Sequence, residues 1–348
     1  MPNPSIRFAL LSALLAFPLL ISDAAADEGS CYSSESPVVS DLGALGLVNT
    51  TGGQVIESGT SVPLPDEAAP GSRLVIRDDY PRQRSRDNAR WGDSLKDISS
   101  HEPDIIINGR RIDYTDRDHV THGHEVSHGI HSWIRTRTTD RDNAFYLLND
   151  RYALIKEPNT TISQTAAFVP AVFRSNGRYQ TYISPSSQLV KSWNDTPLYT
   201  WDEWVAYTNG GTVGVEMAEK GLWDQGGRDA VAGVMEFSVY AVAMAMSVQK
   251  NDPESWENNP QIKEFLAYNM ERAMDVYNRG LEVKEFTQDN GQPARSIGEG
   301  DSAREVPKDI YGMHQFHHDF LTHPSAEGMR QWLRDTYGQA WTQKLWGF

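Results

Sequence analysis

The hydrophobic pattern divides the chain into an apolar start, a polar stretch without periodicity, and a long patterned remainder. Residues 8–21 are almost continuously apolar, preceded by Arg7 and followed by Ala24-Ala25-Ala26. That is the layout of an export signal over residues 1–26, too short to be a membrane anchor. Residues 27–72 are rich in Gly, Ser, Thr and Pro and read as a flexible arm. The fold is expected over residues 73–348.

Within it, residues 73–77 are strand-like, 78–104 are charged with no clear core face, and 104–114 read as two short strands around Asn108-Gly109. Val120, Gly123, Ser127, Ile130 and Ile134 recur at helical spacing, and Asp116 or Asp118 can cap the helix they imply. A hairpin follows over 144–156 around Asn149-Asp150, a short helix over 161–169, and a strand-like stretch over 172–183. Thr200 or Asp202 can open the next helix and Asn209-Gly210-Gly211 can close it. Residues 230–248 form an almost wholly apolar helix, 253–279 an amphipathic one stopped by Gly280, 281–307 a polar loop, and 326–346 a terminal helix. The expected fold is α+β: a small mixed sheet beside the helix at 120–134, then a mainly helical C-terminal half with a subdomain from about residue 229.

Composition narrows the partners. Asp and Glu number 47 against 32 Lys and Arg, a formal charge of −15. Loss of residues 1–26 would leave this unchanged, because Arg7 and Asp23 cancel. Such a surface argues against nucleic acid and anionic membranes as partners. After residue 26 no stretch is continuously apolar enough to span a bilayer, so a secreted or periplasmic soluble product is expected. Cys31 is the single cysteine, so no disulfide can form within the chain.

The candidate chemistry lies in His124-Glu125-Val126-Ser127-His128. Residues four apart share a helix face, so both imidazoles project toward one point, as two nitrogen ligands of a tetrahedral zinc must. Glu125 lies on the adjoining edge, where it can take a proton from water that the metal activates. His122 and His131 add imidazoles nearby. Farther on, Glu203 sits among Trp201, Trp204, Val205, Ala206 and Tyr207, and Glu236 is the single acid in the apolar helix. A carboxylate in such company needs a cationic or hydrogen-bonding partner.

These residues resemble the zincin superfamily of metallopeptidases, with His124 and His128 as zinc ligands and Glu125 as general base. Its metzincin branch would place Gly and His three and six residues after the second motif histidine, where this chain has His131 and Ile134. The gluzincin branch, whose third ligand is a Glu on a later helix, fits better. The resemblance implies one Zn2+ per chain, Glu203 as third ligand with Glu236 as its rival, and Glu216, an Asp or His131 as remaining choices. His131 and Glu236 could instead support a ligand from outside. An oxyanion donor is also required, for which Tyr311, His314 and His317 are candidates. The function so implied is hydrolysis of peptide or protein substrates. A non-catalytic binding protein on the same scaffold, or a zinc hydrolase of non-peptide amides such as cell-wall links, would leave the same residues.

Overall fold

The computed structural model describes residues 73–85, 88–107, 110–138, 142–225, 230–286, 295–297, 304–306 and 312–348. The segments expected to be an export signal and an arm, residues 1–72, and Tyr311 lie outside them. The elements in chain order are β1 (Ile76–Arg77), α1 (Asp93–His101), β2 (Ile105–Ile107), β3 (Arg110–Ile112), α2 (His119–Arg135), β4 (Asp142–Tyr146) and β5 (Tyr152–Lys156). Then come α3 (Ile162–Thr165), α4 (Gly177–Tyr182), α5 (Gln188–Trp193), α6 (Tyr199–Glu219), α7 (Ala232–Asn251), α8 (Pro253–Asn258) and α9 (Pro260–Leu281). β6 (Arg295–Ile297), β7 (Arg304–Val306), α10 (Met313–Thr322), α11 (Glu327–Tyr337) and α12 (Gln339–Trp346) complete them. Residues 104–113, with the antiparallel β2–β3 hairpin, belong to a unit of their own; residues 73–103 and 114–348 belong to the other.

The larger unit is α+β and mostly helical. Its three-stranded sheet, in the order β1-β5-β4, is antiparallel throughout, not mixed as the sequence suggested. Alternation explains why both faces of the β4–β5 hairpin are buried. Ala144, Tyr146, Tyr152 and Leu154 join Val126, Ile130 and Ile134 of α2 in one cluster. Phe145, Leu147, Ala153 and Ile155 enter the larger cluster built around α6, α7 and α9. Contrary to the expectation that no later stretch could span a bilayer, helix α7 is long and apolar enough to cross one, though 89% of that stretch is buried inside the fold.

Helix α2 begins where its sequence signal lies: Asp118 Oδ1 accepts from the Val120 and Thr121 amides at 3.0 and 3.1 Å. Helix α3 likewise opens on a capping box between Thr161 and Gln164. Helix α6 departs from expectation. It runs through Asn209-Gly210-Gly211 for another turn and more, because the glycines serve packing. A Cβ on Gly210 would lie 2.7 Å from the Val120 carbonyl of α2, and one on Gly123 would lie 2.9 Å from Val213 of α6. Asn209 is absorbed as well, donating to Ser127 Oγ and the Tyr146 carbonyl and accepting from Arg272.

Other expectations need correction. The charged stretch 78–104 contains α1, whose buried side includes Asp97, Ser99, Ser100 and His101 besides Leu95 and Ile98. Residues 172–183 form a 3-10 turn and α4 instead of a strand, with Gly177 opening the helix. The helix expected over 253–279 breaks at Asn259, whose side chain caps the Pro260 start of α9. The terminal helix breaks at Gly338, and the loop over 281–307 contains the paired β6 and β7.

The start of α1 has no cap of its own. Glu216 of α6 supplies one across the fold, accepting from the Asp93 and Ser94 amides at 2.7 Å each and from Lys220 Nζ. That use removes Glu216 from the metal candidates. Burial would raise its carboxyl, but Lys220 and the two amides outweigh it and hold it below its ordinary 4.5. A depressed carboxyl contributes stability above its unfolded value and loses it as pH falls through the folded one. Glu216→Gln should therefore cost about 1–2 kcal/mol in urea unfolding at pH 7, with the gap to wild type closing on acidification below 4.5; an unchanged gap at acid pH would refute this account.

Candidate metal centre

Helices α2 and α6 cross closely enough to bring His124, His128 and Glu203 together, with one ligand atom of each within 4.8 Å of the others. The three facing atoms form a nearly regular triangle. His124 Nε2 and His128 Nε2 are 3.0 Å apart, and Glu203 Oε2 lies 3.6 and 3.5 Å from them. Ligands bound tetrahedrally at 2.0–2.1 Å stand about 3.3–3.4 Å apart, so the spacing fits a zinc-sized ion. Glu203 Oε2 is buried and has no hydrogen-bond partner. An ionised oxygen in that position is costly unless a cation answers it. The residues present fit the metal.

Each ligand is held from behind. Tyr199, one turn before Glu203, donates to its Oε1 at 2.8 Å. Asp202 Oδ1 bonds the outer nitrogen of His128, and Oδ2 accepts from Arg135 Nη2 at 2.7 Å. His131 Nδ1 lies 3.2 Å from the same Oδ1, so His131 is not a corner of the triangle but forms, with His128 and Asp202, a ligand group that overlaps it. Such a carboxylate behind a ligand imidazole fixes its tautomer and strengthens it as a donor. His124 packs edge-on to Tyr207, with ring centroids 4.4 Å apart, and its Nδ1 has no hydrogen-bond partner.

Burial opposes charge on His128, but Glu203 and Asp202 outweigh it and raise its pKa well above the usual imidazole value. Burial, reinforced by the charge on His128, puts His124 well below that value. Although burial penalises its charge, Asp202 is held well below the usual carboxylate range by the imidazoles of His131 and His128. Without a metal, therefore, positive charge is favoured on His128 and disfavoured on His124. Burial raises Glu125, with Glu203 and Asp116 adding and His128 opposing.

The rival candidates lie elsewhere. Glu236 accepts from Arg178 Nη1 at 3.1 Å and Tyr240 OH at 2.6 Å, and Arg178 also donates to the Tyr207 hydroxyl, so Glu236 is answered by its own cation. His317 approaches the Trp346 carbonyl at 3.3 Å and packs edge-on to Tyr277. His314 shares helix α10 with it, and neither belongs to a ligand group among the described residues. Sequence reasoning missed Asp202, Arg135, Tyr199 and Tyr207. Their signal was present: His128, His131 and Arg135 follow helical spacing and call for an anion, while Tyr199 and Tyr207 flank Glu203 at four residues on either side.

No family model, curated protein or solved structure matches the chain.

An ion entering this site must expel the proton from His128, so affinity should rise with pH through the neutral range, with about one proton released per ion. Titration calorimetry in buffers of different ionisation enthalpy reads that release directly. Asp202→Asn should weaken binding about 10–100-fold and reduce the proton release; a variant matching wild type in both would refute the role given to Asp202.

Proposed function

We propose that the chain is an exported zinc-dependent peptidase on a zincin-like scaffold, gluzincin-like in taking its third ligand, Glu203, from a later helix. The observation that carries this reading is the triangle of His124 Nε2, His128 Nε2 and the unpartnered Glu203 Oε2, with Glu125 beside it. A zinc ion held by these three residues would supply a Lewis acid that polarises the scissile carbonyl and makes water more acidic.

The chain's own residues do the rest. Glu125 lies next to His124 on α2, half-buried, and its raised carboxyl brings it toward the proton affinity a general base needs near neutral pH. It takes the proton of the attacking water and delivers it to the leaving amine. Asp202 and Arg135 hold the His128 ring with Nε2 turned to His124 and Glu203. Tyr182 of α4 is held protonated well above the usual phenol range, first by Glu203 and then by burial. A phenol is a donor at neutral pH with or without that shift; the influence of the Glu203 charge on Tyr182 is what makes its hydroxyl our candidate for the oxyanion role.

Metal analysis and turnover of a peptide library test the reading together. Wild type should hold about one zinc at this centre; Glu203→Ala should lose it and Glu236→Ala should keep it. Glu125→Gln should retain the metal while turnover drops about 10²–10⁴-fold. Hydrolysis of a cell-wall amide but no peptide, with the same variant pattern, would move the substrate class. A Glu125→Gln protein as active as wild type would rule out the catalytic assignment.

A further inference from the structure

A group of ligating side chains that shares no residue with those around His128 lies where the end of α1 meets the β4–β5 turn. Asp97, His101 and Asp150 each offer a ligand atom within 4.8 Å of the others. The His101 side chain is 0% exposed, that of Asp97 7% and that of Asp150 44%, so the group opens to solvent on one side.

The hydrogen bonds settle the tautomer of His101. Nδ1 lies 2.7 Å from the main-chain carbonyl of Asp97, an obligate acceptor. It also lies 2.8 Å from the Tyr146 hydroxyl, whose own hydrogen goes to Asp97 Oδ2 at 2.7 Å. Nδ1 must therefore carry a hydrogen. That leaves Nε2 facing Asp150 Oδ1 at 2.8 Å. Both atoms are buried and neither has a hydrogen-bond partner; the same holds for Asp97 Oδ1. A ring lone pair against a carboxylate oxygen at this distance is repulsive. A proton on Nε2 would make this contact an ion pair, yet Asp97 Oδ1 would still lack a hydrogen bond. Adjacent ligands of a six-coordinate ion with bonds near 2.1 Å, by contrast, stand about 3.0 Å apart. Arg82 is the neighbouring cation, but its nitrogens stay 3.9 Å from Asp97 Oδ1 and 3.6 Å from Asp150 Oδ1 on a side chain 61% exposed.

We propose that Asp97, His101 and Asp150 form a second divalent-cation site, separate from the His124–His128–Glu203 centre. The imidazole nitrogen selects a first-row ion such as Mn2+ or Zn2+ over Ca2+, and the Nδ1 bond to a main-chain carbonyl is the support that metal-bound histidines commonly have. Its role is a clamp. Leu148, Asn149 and Asp150 all have positive φ, 66, 56 and 62°, three left-handed residues in a row without a glycine. Asp97 Oδ2 already ties the Asn149 amide at 2.8 Å. An ion shared by Asp150 and α1 would hold this costly turn in place.

The test uses the full chain carrying His124→Ala and His128→Ala, stripped of metal, so that failure of the first centre cannot affect the result. Titrated with Mn2+ or Zn2+ alone, it should bind about one ion per chain, with a melting temperature several degrees higher at saturation. Adding Asp150→Asn, at a half-exposed position, should abolish both effects while the circular dichroism stays unchanged. Arg82→Ala, which removes a competing positive charge, should tighten binding several-fold. Absence of binding in the double variant, or the same stoichiometry and melting shift after Asp150→Asn, would overturn the proposal.

Discussion

The close crossing of α2 and α6 is the constraint on which the candidate centre depends. Two histidines on one helix can reach a common point by themselves, but a third ligand from another helix must arrive at matching depth. Gly210 lies against the Val120 carbonyl, and Gly123 against Val213, with no room for a methyl group at either. At Gly210 the obstacle would be backbone, which cannot turn aside as a side chain can. Separating the helices would lengthen both distances from Glu203 to the histidines, while the spacing within the His pair, set by α2 alone, would stay the same. The glycines therefore tune the one part of the triangle that helix periodicity does not.

Charge balance shapes the same region. Glu203, Asp202 and Glu236 are all buried, each with a different counterpart. Glu236 has Arg178 and Tyr240; Asp202 has His128, His131 and Arg135. Glu203 alone among them keeps one oxygen without a hydrogen bond. Buried ion pairs contribute little net stability, because desolvation offsets the attraction. Their value here is orientational: Asp202 fixes the His128 ring, and Tyr199 fixes the Glu203 carboxylate. The asymmetry between Glu203 and Glu236 follows from partners rather than depth, since both are nearly solvent-free.

What the sequence revealed and what it concealed follow from the range of the interactions. Features held within one helix were legible: the His124–His128 pair, the Asp118 cap, and Ile130 and Ile134 on the apolar face of α2, which Val126 also joins. The sheet's hairpin was legible from alternation, though its burial on both faces was not. Asn209-Gly210-Gly211 misled because its local signal is that of a helix end, while its actual use is contact with α2 and α7. Helix α1 was hidden for a related reason. Most of its buried side is polar, four residues of six, and some of those groups face partners far along the chain, Asp97 bonding the Tyr146 hydroxyl among them. Residues 172–183 failed on Gly177, where a turn residue opens a helix.

The missed site residues refine that rule. Tyr199 and Tyr207 were within reach of a periodicity argument, because a carboxylate expected to bind a metal directs attention to the positions one turn away on its own helix. Asp202 was not, since its neighbours in sequence suggest only a helix start. Its role is visible only from the opposite helix, where His128, His131 and Arg135 present a row of donors that lacks an acid of its own. A ligand motif on one helix therefore leaves a complementary requirement on whichever helix packs against it. Here Asp202 and Glu203 meet that requirement as adjacent residues, one supporting a ligand from outside and the other facing the two histidines.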